Sequence, residues 1–554
     1  MLTYTVSEAG KNSHTRFSLV KDLSTRVGAW IACALFILLG AALIPLAGIQ
    51  NDEAIFTGII YLPVSSEFGV RVLHHRIPLM VMSYIGALKT LVFWPILKIF
   101  HPNVYSMRVP TVLMGALTIW LVYKLVIRIG TPLAAVIAAF LLATDPTFLM
   151  TDTFDWGPVA FEHLLLVTAC FAFVRFAQTP DLPGDAETRR WFLALGFLAI
   201  GLALWNKAIV VWALSGLAGA AVIVCWPEVR KTLTPANLRI AAAAFFIGCF
   251  PFVIYNLHRR NATFGSNAHI DSPANFPKKT VQMEMALDGS PLFGYLVAEQ
   301  SPYSRPPRTV AGRIAASIEG LLGEHRSDEM LYALGVLVLA VPLWWPIRAA
   351  RFALVFMAIA WTAMLFTRDA GTGTHHSVLI WPFPQVFIAL ILGAFRWRPV
   401  AIAVALFLAG TNLLVVNQYI LQLDQNGADR NFTDAIRPLA KALEASNAKA
   451  VYTTDWGFYD TLVLLSQGHL PLLTANEPFM RDIPTDVDRQ IMRTLFLDKG
   501  AIFVGHVPDR QEYPGVRDRM AQDAAAAGFR KVIIAVIPDS HSRPVFEIFR
   551  FEPS

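Results

Sequence analysis

Asp52 and Glu53 are adjacent carboxylates a few residues past the end of the first long apolar segment, 27–48. An acidic pair at a membrane surface can simply stay hydrated, and spacing alone does not exclude that interpretation. If a cavity forms around the pair, a carboxylate can accept the proton of an attacking hydroxyl or amine. The chemistry therefore depends on which other polar groups the fold brings to the same side of the membrane.

Other ionisable residues recur at the ends of later apolar segments. Asp155 follows one of them and could merely cap the next helix, because Trp156-Gly157-Pro158 places a proline near its first turn. Lys207 interrupts an apolar stretch and could be a snorkelling side chain with no further function. In an enzyme, such cations could instead hold a phosphate that is about to leave.

The composition indicates a polytopic membrane protein. Of the 554 residues, 55% are hydrophobic and only 16% are charged, and several runs approach 20 apolar residues. The net charge of +6 does not predict nucleic-acid binding, because Lys and Arg cluster at the ends of apolar runs, where they determine topology. The four cysteines lie within apolar segments without metal-ligand spacing, so we predict neither a disulfide framework nor a metal site.

Segment 79–100 decides the topology. If every apolar run crosses with the N-terminus inside, the Lys and Arg clusters of five loops fall outside, against the positive-inside rule. If 79–100 does not cross, all five clusters move inside. Lys89 at its centre would cost roughly 2.5–3.5 kcal/mol in the membrane, so we expect a helix lying on the outer surface. About eleven spans remain, namely 27–48, 109–127, 132–150, 157–177, 191–206, 208–226, 239–257, 329–347, 350–367, 376–395 and 398–420.

This topology predicts an N-terminal cytoplasmic tail, 1–26, a transmembrane domain, 27–420, and an extracytoplasmic domain, 421–554. Long outer loops cover 49–108 and 258–328. The C-terminal domain has an α/β pattern, with strand-like runs at 450–454, 501–505, 531–538 and 545–551 and helix-like stretches at 431–446, 456–466 and 515–527.

The same topology gathers carboxylates from two loops and cations from at least four on the outer face. An extracytoplasmic enzyme has no nucleotide sugar available, so a lipid phosphate is the expected activated donor. The polar residues of this face are Asp52, Glu53, His74, His75, Arg76, Lys89, Asp152, Asp155, Lys207, His258, Arg259, Arg260, Arg368, Asp369, His375 and His376.

Several short motifs resemble those of the GT-C glycosyltransferases, specifically the family of protein O-mannosyltransferases and lipid A aminoarabinose transferases (glycosyltransferase family 39). The resemblance lies in an acidic motif after the first span, a Pro-Leu motif that opens an outer helix, and a second Asp after the third span. It covers the layout of residues 27–420. The matching runs are Asn51-Asp52-Glu53-Ala54, His74-His75-Arg76-Ile77-Pro78-Leu79, Asn103-Val104-Tyr105-Ser106-Met107-Arg108, Asp145-Pro146-Thr147-Phe148-Leu149 and Asp152-Thr153-Phe154-Asp155. The family often has two prolines before the leucine, where this chain has Ile77-Pro78.

The resemblance implies roles for individual residues. Asp52 would be the catalytic base or acceptor-orienting carboxylate, Glu53 would support it, and Asp155, rather than Asp152, would be the second functional acid. The implied contacts to the donor phosphate are His75, Arg76, Lys89, Lys207, Arg368 and His376.

The sequence therefore predicts a GT-C-like, α-helical membrane protein with a C-terminal α/β domain. We expect a glycosyltransferase that moves a sugar from a polyprenyl-phosphate donor to an extracytoplasmic protein, lipid or glycan, with inversion and without a metal or cofactor. The expected location is a bacterial inner membrane, with the active site on the periplasmic side. The alternative is a transporter or lipid flippase, which would place its charges near the membrane midplane and show internal repeats. A membrane-anchored binding module is a third possibility, but it leaves the charged outer loops unexplained.

Overall fold

The computed structural model describes residues 8–554 except 181, 183, 300 and 482. Residues 1–7 of the predicted cytoplasmic tail thus lie outside the described residues. Within the described part, nine helical segments have the length of about 20 apolar residues that a bilayer requires. The first is Ser24–Leu46, most of which is the second half of the helix Glu8–Leu43. The others are Val104–Ile129, Val159–Gln178, Ala186–Asn206, Ala208–Thr232, Pro235–His258, Arg348–Phe366, Thr374–Ala394 and Arg398–Asn426.

Two of the eleven predicted spans take other forms. The predicted span 132–150 is a pair of helices, Pro132–Thr144 and Pro146–Phe154, bent by 60°. Pro146 lacks a backbone N–H and disfavours a helical conformation at Asp145, which explains the break. The predicted span 329–347 contains only a short apolar helix, Met330–Leu339, followed by Val341–Trp344.

Segment 79–100 forms no helix long enough to cross, as the charge pattern predicts, but the expected single surface helix is wrong. The chain forms a three-stranded antiparallel sheet of β1 (Phe68–Val72), β2 (His75–Met82) and β3 (Ile85–Gly86), and only then the helix Leu88–Ile99. Pro78 does not open a helix either, because it lies inside β2, opposite Gly69. The remaining helices of the outer loops are Asn51–Gly58, Ala262–Asn267, Phe276–Leu287 and Val310–Leu322.

The C-terminal domain is a five-stranded sheet covered by helices. Its strands are β4 (Ala450–Thr453), β5 (Leu472–Thr474), β6 (Ala501–His506), β7 (Phe529–Pro538) and β8 (Pro544–Pro553), in the order β5-β4-β6-β8-β7. The first three are parallel, and β8 is antiparallel to both neighbours. The helices are Ile436–Ser446, Tyr459–Leu465, Glu477–Met480, Asp486–Leu497 and Val516–Ala526. All four predicted strands form, and β5 is an additional edge strand.

The C-terminal domain packs directly against the first outer loop. Leu464 shares an apolar cluster with Ala54 and Phe93, so a helix of the domain contacts two helices of that loop. Gly48 permits a second close approach, because a Cβ atom there would lie 2.0 Å from the Thr433 carbonyl oxygen. The fold thereby brings residues about 400 positions apart in sequence to the loop that carries Asp52.

Candidate active site

The helix Asn51–Gly58 presents Asp52 in its first turn. Its N-cap is Gln50, whose Oε1 accepts hydrogen bonds from the backbone N of Asp52 (2.5 Å) and of Glu53 (3.1 Å). Glu53 Oε2 accepts from the backbone N of Gln50 in return, at 3.3 Å, which completes a capping box. The first turn is also the positive end of the helix dipole, where an ionised carboxylate is stabilised.

The predicted catalytic carboxylates are Asp52, Glu53 and Asp155. Of these three, Asp52 is partly exposed and the other two are buried. Burial by the surrounding protein raises its pKa to about 6, although hydrogen bonds from Gln50 and Asn51 and the charge of Lys207 act in the opposite direction. Burial also raises the pKa of Tyr84, and the nearby charge of Asp52 adds to that effect. A carboxylate with a pKa near neutrality is suited to accept a proton.

Glu53 has a different environment from Asp52. Its two carboxylate oxygens each lie 2.9 Å from a nitrogen of Arg108, a fully buried side chain. Arg108 also donates to the carbonyls of Ile44, Ala47 and Gly48, at the end of the first span. The pair thus joins the first span, the helix of Asp52 and the second span, which is a positioning role.

Asp155 caps a helix and also forms a buried ion pair. Its Oδ1 accepts from the backbone N of Val159 (2.6 Å) and Ala160 (3.0 Å), so it caps the following helix. Its Oδ2 lies 2.7 Å from the Nζ of Lys89, which also donates to the Asp155 carbonyl at 3.1 Å. Lys89 is therefore already engaged in a buried ion pair.

Lys207 is a buried cation with few partners. Its side chain is 1% exposed, and the bond that its Nζ donates, to the carbonyl of His375, is 3.4 Å long. Burial lowers its pKa to about 8, against the opposing charges of Glu162, Asp155 and Asp52. A Cβ on Gly157 would lie 2.9 Å from this Nζ, so the glycine leaves room beside it. The ammonium group has three donors, and the hydrogen bond to the His375 carbonyl is a long one. It is close enough to Asp52 for the two charges to interact.

Asp152, the alternative second acid, points elsewhere. It is fully buried, and its Oδ1 lies 2.8 Å from Nδ1 of His163, whose Nε2 contacts the carbonyl of Val378 at 2.9 Å. The charge of Asp155, by contrast, acts on Lys207. Asp152 is thus engaged with His163, and Asp155 with Lys89.

The remaining predicted cations are less closely associated with Asp52. His75 is exposed on β2, and Arg76 donates to the Ser66 carbonyl at 3.1 Å. The side chain of Arg368 is exposed, and its backbone N bonds to the His269 carbonyl. His376 lies in the first helical turn of the segment Thr374–Ala394. Its neighbour His375 makes the contact with Lys207 and accepts a bond from Trp156 Nε1.

Some residues of the site could not be predicted from the sequence. Arg108 lies within a motif that marks the second span, yet only its complete burial reveals its role. Asp460 exchanges two hydrogen bonds with Asn51, of 3.1 and 3.0 Å, across more than 400 residues of sequence, and no local signal indicates this contact. In the described part of the chain, no three His, Cys, Asp or Glu side chains come together in a way that could hold a metal ion.

Comparisons with known proteins give one match to a family in sequence and several matches in fold. Residues 88–255 match the sequence model of the family described as dolichyl-phosphate-mannose-protein mannosyltransferase. No curated protein matches the chain in sequence.

Solved structures show a similar fold at low identity. ArnT from Cupriavidus metallidurans in the apo state has 12% identity and a TM-score of 0.55, with 97% of this chain and 98% of that chain covered. The same protein bound to undecaprenyl phosphate has 12% identity and a TM-score of 0.56, over 94% and 97% of the two chains. The apo oligosaccharyltransferase of Archaeoglobus fulgidus has 13% identity and a TM-score of 0.50, over 86% and 69%. The chain therefore has a GT-C fold, and the match over 88–255 confirms the predicted resemblance to the protein mannosyltransferases and, with it, the prediction of a membrane glycosyltransferase.

Proposed function

We propose that this protein transfers a sugar from a polyprenyl-phosphate carrier to an acceptor outside the cytoplasm, with Asp52 as the proton acceptor. One observation carries the proposal. Glu53 and Asp155 are both engaged in buried ion pairs, whereas Asp52 is partly exposed and forms no ion pair with any described residue. It is also close enough to Lys207 for the two charges to interact. Of the three carboxylates, Asp52 is the one left available for chemistry.

The reaction balances with these groups. An acceptor hydroxyl or amine attacks the anomeric carbon from the face opposite the phosphate, and the bond between that carbon and the phosphate oxygen breaks. The electron pair leaves with the polyprenyl phosphate, and the acceptor proton moves to Asp52. Attack from the opposite face inverts the anomeric configuration. Lys207 stabilises the departing phosphate, because a buried ammonium interacts strongly with developing negative charge.

The lipid carrier is supported by the relatives rather than by a ligand in this chain. ArnT, with a similar fold, binds undecaprenyl phosphate, and residues 88–255 match a family that uses dolichyl-phosphate mannose. Lys207 lies between two spans, Ala186–Asn206 and Ala208–Thr232, and so belongs to the membrane surface, where the head group of a lipid donor would lie. We propose that the membrane is a bacterial inner membrane. The Lys and Arg distribution supports a site on its periplasmic face.

Asp52→Asn tests the proposal. The amide keeps the size of the side chain but cannot take a proton, so transfer from a radiolabelled polyprenyl-phosphate sugar should fall to background while the protein still inserts and folds. Glu444→Gln is the matched control, because Glu444 is an exposed carboxylate on a helix of the C-terminal domain. Transfer by Asp52→Asn at the wild-type rate would contradict the mechanism.

A further inference from the structure

A cleft of about 300 Å³ lies between the helix of Asp52 and the C-terminal domain. Asn51 lines it from the membrane domain, and residues that follow β4 and β5 line it from the other side. Its main side chains are Trp456, Tyr459, Asp460, Asn476, Glu477 and Tyr513. Because Asn51 precedes Asp52 in the first turn of its helix, the cleft opens next to the proposed proton acceptor.

The cleft and Asp52 are physically connected. Asn51 Nδ2 donates to Asp460 Oδ2 at 3.1 Å, and the backbone N of Asp460 donates to Asn51 Oδ1 at 3.0 Å. Burial raises the pKa of Asp460 to about 6, and the charge of Asp52 contributes to the rise. A molecule that fills the cleft and contacts Asp460 therefore lies beside Asn51, the residue that precedes Asp52.

The walls of the cleft are held in place by a buried carboxylate. Asp455 accepts hydrogen bonds from the backbone N of Trp456 (2.9 Å) and of Tyr513 (2.9 Å), and its Oδ2 lies 2.7 Å from His506 Nδ1. Asp455 thus positions the two aromatic residues, while its own oxygens are occupied. Trp456 stays 37% exposed and offers its ring to a ligand.

The lining chemistry identifies the class of ligand. Aromatic faces next to carboxylates and an amide suit a sugar ring, whose C–H face is apolar and whose hydroxyls donate hydrogen bonds to carboxylate oxygens. No Lys or Arg is among the residues that line the cleft, and Asp460 and Glu477 would repel a phosphate or carboxylate. We propose that this cleft is an acceptor subsite that binds a neutral sugar unit of a glycan, with the ring against Trp456 and its hydroxyls on Asp460 and Glu477. The binding of a sugar in the cleft does not depend on the proposed function. Only the statement that this sugar belongs to the acceptor rests on it.

Saturation-transfer NMR on the full-length protein in detergent tests the subsite. The neutral probes are mannobiose, galactobiose and cellobiose, and the competing probes are mannose 6-phosphate and a Ser/Thr-containing peptide. We expect saturation of a neutral disaccharide, about tenfold weaker binding with Trp456→Ala, and weaker binding with Glu477→Gln, an exposed position where the fold is not at risk. The matched control is Trp397→Ala. This variant loses an exposed indole that does not line the cleft, and it should bind the disaccharide as the wild type does.

Three outcomes would contradict the proposed subsite. These outcomes are no saturation of any neutral disaccharide, equal binding by the wild type and Trp456→Ala, or preferential binding of the phosphorylated sugar or the peptide at the same site. Binding does not need the reaction, so Asp52→Asn should bind the disaccharide normally. If Asp52→Asn loses transfer but the wild type binds no sugar, the subsite is refuted and the proposed function stands. If Asp52→Asn still transfers sugar and sugar binding is normal, the proposed function is refuted and the subsite stands.

Discussion

At the scale of residues, the structure separates carboxylates that look alike in sequence. Glu53 adjoins Asp52, yet one is fixed by a buried guanidinium and the other faces a partly open site. Asp155 is fixed in turn by Lys89 and by the helix that it caps. Buried ion pairs fix Glu53 and Asp155, whereas Asp52 is hydrogen-bonded and partly exposed and remains available to a substrate.

The environment of Asp52 predicts a bell-shaped pH dependence of kcat/KM. The base must be ionised, and its pKa is raised to about 6, so the rate should fall as the pH drops through 6. Lys207 must be charged to hold the phosphate, and its pKa is lowered to about 8, so the rate should also fall as the pH rises through 8. Transfer measured between pH 4.5 and 9.5 should therefore be fastest between these limits.

A charge substitution checks the assignment of the two limbs. Lys207 lowers the pKa of Asp52, so in Lys207→Met the residual activity should show its acidic limb at higher pH and no alkaline limb near 8. An acidic limb that stays in place or moves to lower pH in this variant would show that another group accepts the proton.

Glu53→Gln should destabilise the protein rather than act on the chemistry directly. The substitution leaves the Arg108 guanidinium buried without a counter-charge, which costs about 3–5 kcal/mol for a buried pair. The midpoint of thermal unfolding in detergent should fall clearly below the wild-type value. Asp52→Asn breaks no ion pair and should unfold at the wild-type temperature. A normal unfolding temperature combined with lost transfer in Glu53→Gln would instead assign Glu53 to the reaction itself.

At the scale of elements, local patterns predict the C-terminal strands and nine of the eleven spans, but they fail between 68 and 100 and at 329–347, and they miss the bend in 132–150. The run 501–505 is an uninterrupted apolar stretch and forms β6 as predicted, because its neighbours cover both faces. Residues 79–86 have a similar apolar content but form the end of β2 and β3, which pair with each other because Ser83 and Tyr84 form a turn between them. Hydropathy reports the burial of such a segment and not the partner that buries it.

The cap of the helix Val159–Gln178 can be separated from the ion pair of Asp155. Asp155→Asn keeps an oxygen that accepts from Val159 and Ala160 but loses the charge that pairs with Lys89, whereas Asp155→Ala loses both. Loss of the cap costs about 0.5–2 kcal/mol, so thermal unfolding should rank the wild type above Asp155→Asn and Asp155→Ala lowest. Asp185→Ala is the control, because Asp185 precedes a span without a side-chain capping bond and should change little. Equal midpoints for the Asn and Ala variants would show that the cap contributes nothing.

At the scale of the whole molecule, the sequence predicts the parts better than their contacts. The order of spans, outer loops and C-terminal strands follows from hydropathy and from Lys and Arg positions, which are local or additive properties. The contacts of Asn51 with Asp460, and of Glu53 with Arg108, depend on how distant elements pack, and neither has a periodic signal. Asp52 is therefore predictable as a candidate, while the domain that encloses it becomes apparent only in the folded chain.

The proposed function depends on the orientation of the molecule in the membrane, which cysteine labelling can test. If 79–100 does not cross, residue 105 lies outside and residue 128 inside. Tyr105 and Arg128 are both exposed at opposite ends of the same span, so a cysteine at either position is accessible from its own side.

We expect Tyr105→Cys to react with a membrane-impermeant maleimide in intact cells, and Arg128→Cys to react only after permeabilisation. The unmodified chain serves as the background control, because its four cysteines are buried or half-buried. The reverse pattern would place Asp52 and Lys207 on the cytoplasmic side, where a nucleotide sugar is available, and would remove the reason for a lipid-linked donor.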